Sequence, residues 1–350
     1  MSRRLILPWC LLFFGQSLAA QSIHIGVLGI FHPRRIVVTP APSETLLLSA
    51  SGQQVPFGAA QAHASLKVSA VGGKLRVESG SNSMVADRLS ITSRNGDAAS
   101  FVLTIPGKIT RRYLGTLELR AQNSEVLPVV TMDLETAVAS AVQAESAPNT
   151  PDEALKAQAV VSRSYYRAGE SRHDAFDFCD LAHCQVLRDP PADSPASRAA
   201  AATKGLVLQY DARTIAAMFT RSCAGRTLAA AQIGLTSSRY PYYSVVCDFC
   251  SRNPIRWTRV LTHEDAALLL KNGEAGRLEV VRRLGWSAVP GNSFTTEPDG
   301  DRVILHGKGE GHGLGYCQRG AAALARAGSG FHEILSHYFP NTSLAQLPTH

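Results

Sequence analysis

The segment His173–Gln185, HDAFDFCDLAHCQ, places His173, Cys179, His183 and Cys184 close together. Imidazole and thiolate at such short spacings suit tetrahedral zinc. Four protein ligands would make the site structural, and three plus a water would leave it open to catalysis. A Cys179–Cys184 disulfide is the rival chemistry, favoured wherever the compartment is oxidising. Residue types and spacing leave both open. Cys247-x-x-Cys250 is a second short pair, readable as a disulfide or as a redox or metal pair. Cys223 and Cys317 can bridge to each other, but pairing cannot be deduced from sequence.

A third kind of chemistry centres on Glu145. It follows Val142, Ala141 and Val138 by three, four and seven positions, so a carboxylate sits on the apolar stripe of its helix. It also falls in the last turn, where the negative end of the helix dipole disfavours an anion. Desolvation and dipole both act to keep the carboxyl protonated near neutrality, as a general acid requires. Arg163 lies on the next helix, four positions after Ala159 and eight after Leu155. In an antiparallel hairpin through APNTP it would approach the same cleft and bind an anionic substrate group or tune the carboxyl. The run GKGEGHGLGYCQRGA puts Glu310, His312 and Gln318 around a backbone with few Cβ atoms, through which a ligand can approach the main chain. It is not a phosphate loop, because the lysine and hydroxyl that close that motif are missing.

These side chains need elements to hold them. Asp133 caps a helix that runs through Glu145 and stops before Pro148. Thr150, Pro151 and Glu153 read as a capping box for a second helix, which Gly169 closes. RAAAATKGLVLQY reads as a helix passing into a strand, TIAAMFTRSCAGRT as a strand and a turn at Gly225, and RVILH as a strand. YCQRGAAALARAG and FHEILSHYF are helices. Upstream, from Ser22 to about Ser124, short alternating runs such as KLRVES and GTLELRA are separated by Gly, Asn, Ser and Pro, which is hairpin patterning. The fold class expected is therefore α+β, with a β-rich N-terminal region over residues 21–109 followed by a mixed domain over residues 110–347.

The N-terminus, MSRRLILPWCLLFFGQSLAAQS, has a charged head, a short apolar run and small residues before a cleavage point. Residues 1–20 read as a secretory signal peptide whose apolar run is too short to span a bilayer. Loss of Arg3 and Arg4 lowers the formal charge from +7 to +5. A mildly basic exported protein suits an anionic polymer such as the cell wall, and also merely suits solubility. No nucleic-acid partner is expected. Six cysteines remain after Cys10 leaves with the leader, an even number that leans towards disulfides outside the cytoplasm.

Taken together, AESAPNTPDEALKAQAVVSRSYY, FDFCDLAHCQVL, AATKGLVLQYDARTIAAMFTRSCAGRT, YPYYSVVCDFC and GHGLGYCQRGAAALARAG resemble, in order, the blocks of the sporulation stage II protein D and amidase-enhancer LytB family. The resemblance runs from about Thr110 to Leu347. It implies a SpoIID-type catalytic domain and an exported lytic transglycosylase acting on peptidoglycan glycan, preferably on strands stripped of stem peptides. It puts the family's catalytic glutamate at Glu145 and its helix arginine at Arg163. Its structural zinc falls on His173, Cys179 and Cys184, with His183 at the less regular position. His312 and Gln318 fall in its other strong block, as cleft residues.

The sequence departs from the family where Ser146-Ala147-Pro148-Asn149 replaces the usual residues after the glutamate. It departs again where Cys223 and Cys317 stand at positions that are not usually cysteine, which suggests a disulfide of this lineage. Two other functions stay in view. One is a non-catalytic wall-binding protein that stimulates a partner amidase. The other is a zinc hydrolase with an open metal position.

Overall fold

The computed structural model describes residues 22–50, 53–58, 65–169, 173–182, 184–189, 191–236 and 240–348. The expected leader and His183 lie outside these residues. The expected α+β class is what the chain adopts. Between Ser22 and Asp133 the described chain is nearly all strand, and those strands join one large sheet. Alternation drives it. In Ala99–Ile105 every second residue is buried, and Ile36, Val38, Leu66, Phe101 and Leu103 stack on the inner face.

The strand Ile109–Gln122 runs through the position where the β-rich region was expected to give way to the next domain. Its first half pairs with Ala99–Ile105. Its second half pairs with Arg88–Ser93 on one side and Glu125–Asp133 on the other. At one edge of the sheet, Phe178–Cys179 pairs in parallel with Ser22–Gly26. The segment carrying the histidine and cysteines is thus hydrogen-bonded to the first described strand.

Glu125–Asp133 feeds directly into α1 (Leu134–Glu145), where the Asp133 carboxylate accepts the N–H groups of Glu135 and Thr136. After a turn at Pro148, α2 (Asp152–Ala168) follows. The capping box expected there does not form. The Thr150 hydroxyl donates to the Ala147 carbonyl at 2.7 Å. The Glu153 carboxylate accepts the Phe331 N–H and pairs with Lys156. Tertiary contacts have taken both side chains away from the helix end.

α2 is buried on nearly every side and separates two cores. Leu155, Ala159, Tyr165 and Tyr166 pack with the sheet and with α1. Ala154, Ala157, Val160 and Val161 pack into a second core with Tyr240, Tyr316, Tyr338 and Phe339. The rest of that second core comes from the strand Leu206–Tyr210 onward, including α4 (Asp248–Arg252) and the C-terminal helices, whereas α3 (Pro195–Ala202) packs Ala196, Ala199 and Ala200 into the first core.

A separate layer is inserted after α4. Three antiparallel strands, Arg256–Thr262, Ser293–Asp299 and Arg302–Lys308, carry α5 (His263–Leu284) over a small core of Trp257, Leu261, Leu269, Val280 and Leu305. α5 breaks at Gly273, which has φ 53° and ψ −126°. α6 (Gln318–Arg326) and α7 (Phe331–Tyr338) then close the chain against α2.

The glycine run has a different origin from the one its composition suggests. Gly309, Gly311, Gly313 and Gly315 all have positive φ. A Cβ on them would lie 2.5 Å from the Ser222 carbonyl, 2.5 Å from Thr220 Oγ1, 2.8 Å from Leu228 Cδ1 and 2.4 Å from the Met218 carbonyl, respectively. The close backbone approach is therefore to the chain's own segment 218–228, not to a ligand.

Candidate active site

Glu145 is the last residue of α1, and its side chain is part-buried. One carboxylate oxygen accepts the Val186 N–H at 2.8 Å. Burial holds the carboxyl above its ordinary range, and the Val186 N–H pulls the other way. The desolvation expected from the apolar stripe is thus realised, and one hydrogen bond keeps the ionised form within reach.

Val186 is held in place by the segment that contains the metal-type residues. Asp177 N–H donates to the His24 carbonyl, and Asp180 N–H to the Gly26 carbonyl. The buried Asp180 carboxylate accepts the Leu28 N–H, the Tyr113 hydroxyl and the Arg111 guanidinium. Further on, Arg188 N–H donates to the Ser140 carbonyl of α1. Between these anchors the donor atoms of His173, Cys179 and Cys184 lie within 4.8 Å of one another, and Cys184 Sγ is 3.7 Å from His173 Nε2. Zn–S and Zn–N bonds of about 2.3 and 2.0–2.1 Å at a tetrahedral angle separate such ligands by about 3.6 Å, so the donor set fits zinc. Both cysteines are buried, and no disulfide joins them. The disulfide reading of Cys179 and Cys184 is not the arrangement found.

Of the residues expected around Glu145, Gln318 reaches it. Its amide donates to the Glu145 carbonyl at 3.1 Å and to Gln158 Oε1 at 3.2 Å, while Gln158 donates onward to Ser162. This contact ties the start of α6 to the end of α1 across α2. The sequence also gave no hint of Tyr166, which is buried among Tyr165, Glu145, Cys179 and Cys184.

Arg163 is placed differently from the expectation. Its side chain is 0% exposed and forms a two-point ion pair with Glu135, Nε at 2.8 Å and NH2 at 2.6 Å. NH1 and NH2 donate to the carbonyls of Leu206 and Ala200 at 3.1 Å, and NH1 to Thr203 Oγ1 at 3.5 Å. Glu135 begins α1 and Glu145 ends it, about 15 Å apart along the helix. The guanidinium is therefore a staple between α1, α2 and α3, with no donor left for substrate.

His312 is held within its own loop. Its Nδ1 accepts the Leu314 N–H at 3.0 Å, and its carbonyl accepts from Asn292, which donates to Glu274 as well. Burial alone would raise the Glu274 carboxyl, but Arg277, with the nearby His312 and Asn292, holds it below its ordinary value. The backbone of His312 thus meets the inserted layer through Asn292.

Residues 122–210 match the family described as SpoIID, stage II sporulation protein. Over these residues the chain is similar to the SpoIID family. An uncharacterized protein of Brachyspira hyodysenteriae is 26% identical over 261 residues, which cover 65% of this chain and 70% of that one. An amidase enhancer of Bacillus subtilis is 36% identical over 66 residues, 19% of this chain and 9% of the enhancer. The SpoIID match contains Glu145, Arg163, His173, Cys179 and Cys184, and stops before the glycine run and before Cys223, Cys247, Cys250 and Cys317. The SpoIID match and the similarity to an amidase enhancer support a function connected with the cell wall. Among the described residues no helix is long and apolar enough to cross a membrane.

Proposed function

We propose that the chain is an exported peptidoglycan lytic transglycosylase in which Glu145 serves as both acid and base. The observation that carries this reading is the desolvated Glu145 carboxyl with a single backbone N–H on it. Hydrolytic glycosidases need two carboxylates, one for the leaving group and one for water or direct attack. A transglycosylase of this kind needs one. The protonated carboxyl gives its proton to the glycosidic oxygen as the C1–O bond breaks. The resulting carboxylate, held by the Val186 N–H, then takes the proton from the sugar's C6 hydroxyl as that oxygen bonds to C1. The products are a new hydroxyl end and a 1,6-anhydro-muramyl end, and no water is consumed.

His173, Cys179 and Cys184 would hold a structural zinc, with His183, outside the described residues, as the expected fourth ligand. The ion would lock the segment that carries the Val186 N–H. Arg163, expected beside substrate, instead fixes the helices. The substrate class is glycan strand, preferably without stem peptides, met after export through the leader at residues 1–20. The test is mass spectrometry of denuded glycan strands after incubation with the protein, looking for anhydro-muramyl ends. Unchanged cleavage by Glu145→Gln would remove the assignment.

The similarity to an amidase enhancer favours a second reading, a wall-binding protein that stimulates a partner amidase without cutting glycan. Equal stimulation by wild type and Glu145→Gln, with no glycan cleavage by either, would favour it.

A further inference from the structure

Cys223, Cys247, Cys250 and Cys317 come from three distant stretches of sequence and meet in the second core. All four are buried free thiols, with Cys250 and Cys317 0% exposed. Their four sulfurs lie within 4.8 Å of one another, and Cys250 Sγ is 3.6 Å from Cys317 Sγ. Four sulfurs bound at about 2.3 Å to one tetrahedral ion would be about 3.8 Å apart. Two disulfides would instead need two pairs at about 2.05 Å. A redox Cys-x-x-Cys pair must meet its exchange partner, and these thiols are out of reach.

The surroundings fit a metal. The Tyr338 hydroxyl lies 3.4 Å from Cys247 Sγ, and the Ser222 hydroxyl 3.7 Å from Cys250 Sγ, as donors to thiolates would. Cys317 is the N-cap residue of α6, where the positive end of the helix dipole favours negative sulfur. The helix is pressed onto the cluster at Gly320, where a Cβ would lie 2.3 Å from Cys247 Sγ.

We propose that Cys223, Cys247, Cys250 and Cys317 form a structural tetrathiolate zinc centre, separate from the His173–Cys184 group. Binding releases the four thiol protons and leaves no open position on the ion. The centre fastens the 223 turn, α4 and α6 together. It sits one residue before Gln318, the side chain that holds the Glu145 carbonyl. It lies outside the SpoIID match and does not depend on the chain cutting glycan.

The test uses the full mature chain, purified without reductant or added chelator. Denaturation in a chelator followed by alkylation, with intact mass measured before any reduction, is expected to show all four of these cysteines alkylated. Zinc content in Cys184→Ser, which disables the other group, is expected to be one ion per chain. Adding Cys250→Ser is expected to remove it. Should either variant fail to fold, reconstitution of the wild-type chain with cobalt alone gives a second readout. Strong visible and near-ultraviolet bands of cobalt bound by four thiolates are expected. Two disulfides among these residues, or four free thiols without zinc in Cys184→Ser, would overturn the proposal. So would a cobalt spectrum without the strong thiolate-to-cobalt bands of a four-thiolate site.

Discussion

Replacing Arg163 by alanine separates a structural arginine from a substrate-binding one. The guanidinium is fully buried, and its removal leaves Glu135 without its ion pair and the Ala200 and Leu206 carbonyls without donors. Removing one partner of a buried ion pair typically costs about 3–5 kcal/mol, most of it from the charge left behind. Glu135 keeps 26% of its side chain exposed, so water partly compensates it and the lower end, about 3 kcal/mol, is expected. Chemical denaturation followed by circular dichroism measures this directly. Glu135→Gln added to Arg163→Ala is expected to recover part of the loss, because the orphaned charge is gone. A stability change below about 0.5 kcal/mol, the range of ordinary surface substitutions, together with weakened glycan binding, would refute the structural role and return Arg163 to the cleft.

Other consequences can be measured separately. A carboxyl raised by burial favours folding below its unfolded pKa, and that advantage is lost as pH rises through the folded value. Glu145→Gln is therefore expected to unfold at a higher temperature than wild type at pH 7, with the difference shrinking towards pH 4. A variant less stable than wild type at pH 7 would contradict this. Gly309→Ala puts a Cβ on the Ser222 carbonyl at a positive φ and is expected to destabilise by more than about 1 kcal/mol in denaturant titration. Gln318→Ala is expected to lower glycan cleavage while costing only about 1 kcal/mol of stability, since it removes a hydrogen bond to the backbone of Glu145. Steady-state rates and unfolding curves of one preparation check both halves.

Local pattern made part of this site legible. The Asp133 cap, the three-and-four spacing of α1 and the odd carboxylate at its end are properties of one short segment, and the structure keeps them. The His173–Cys184 group is local too, although spacing could not decide between metal and disulfide. What escaped depends on distant partners. Arg163 meets Glu135 from 28 residues away, and the four-cysteine group spans positions 223 to 317. Cysteines read two at a time suggested bridges, and only the fold shows four sulfurs at one point. The glycine run was visible, but its cause, the packed segment 218–228, was not. α5 was passed over although Thr262 accepts the Asp265 N–H at its start, because Gly273 and Gly276 interrupt its helical period.

The central claim is that one sheltered carboxyl cuts glycan without water. Incubating the protein with denuded glycan strands in H2(18)O and analysing the fragments by mass spectrometry tests it. Anhydro-muramyl ends free of the heavy label, made by wild type and absent with a folded Glu145→Gln protein, are predicted. Labelled reducing ends, or the same fragments from Glu145→Gln at the wild-type rate, would contradict it.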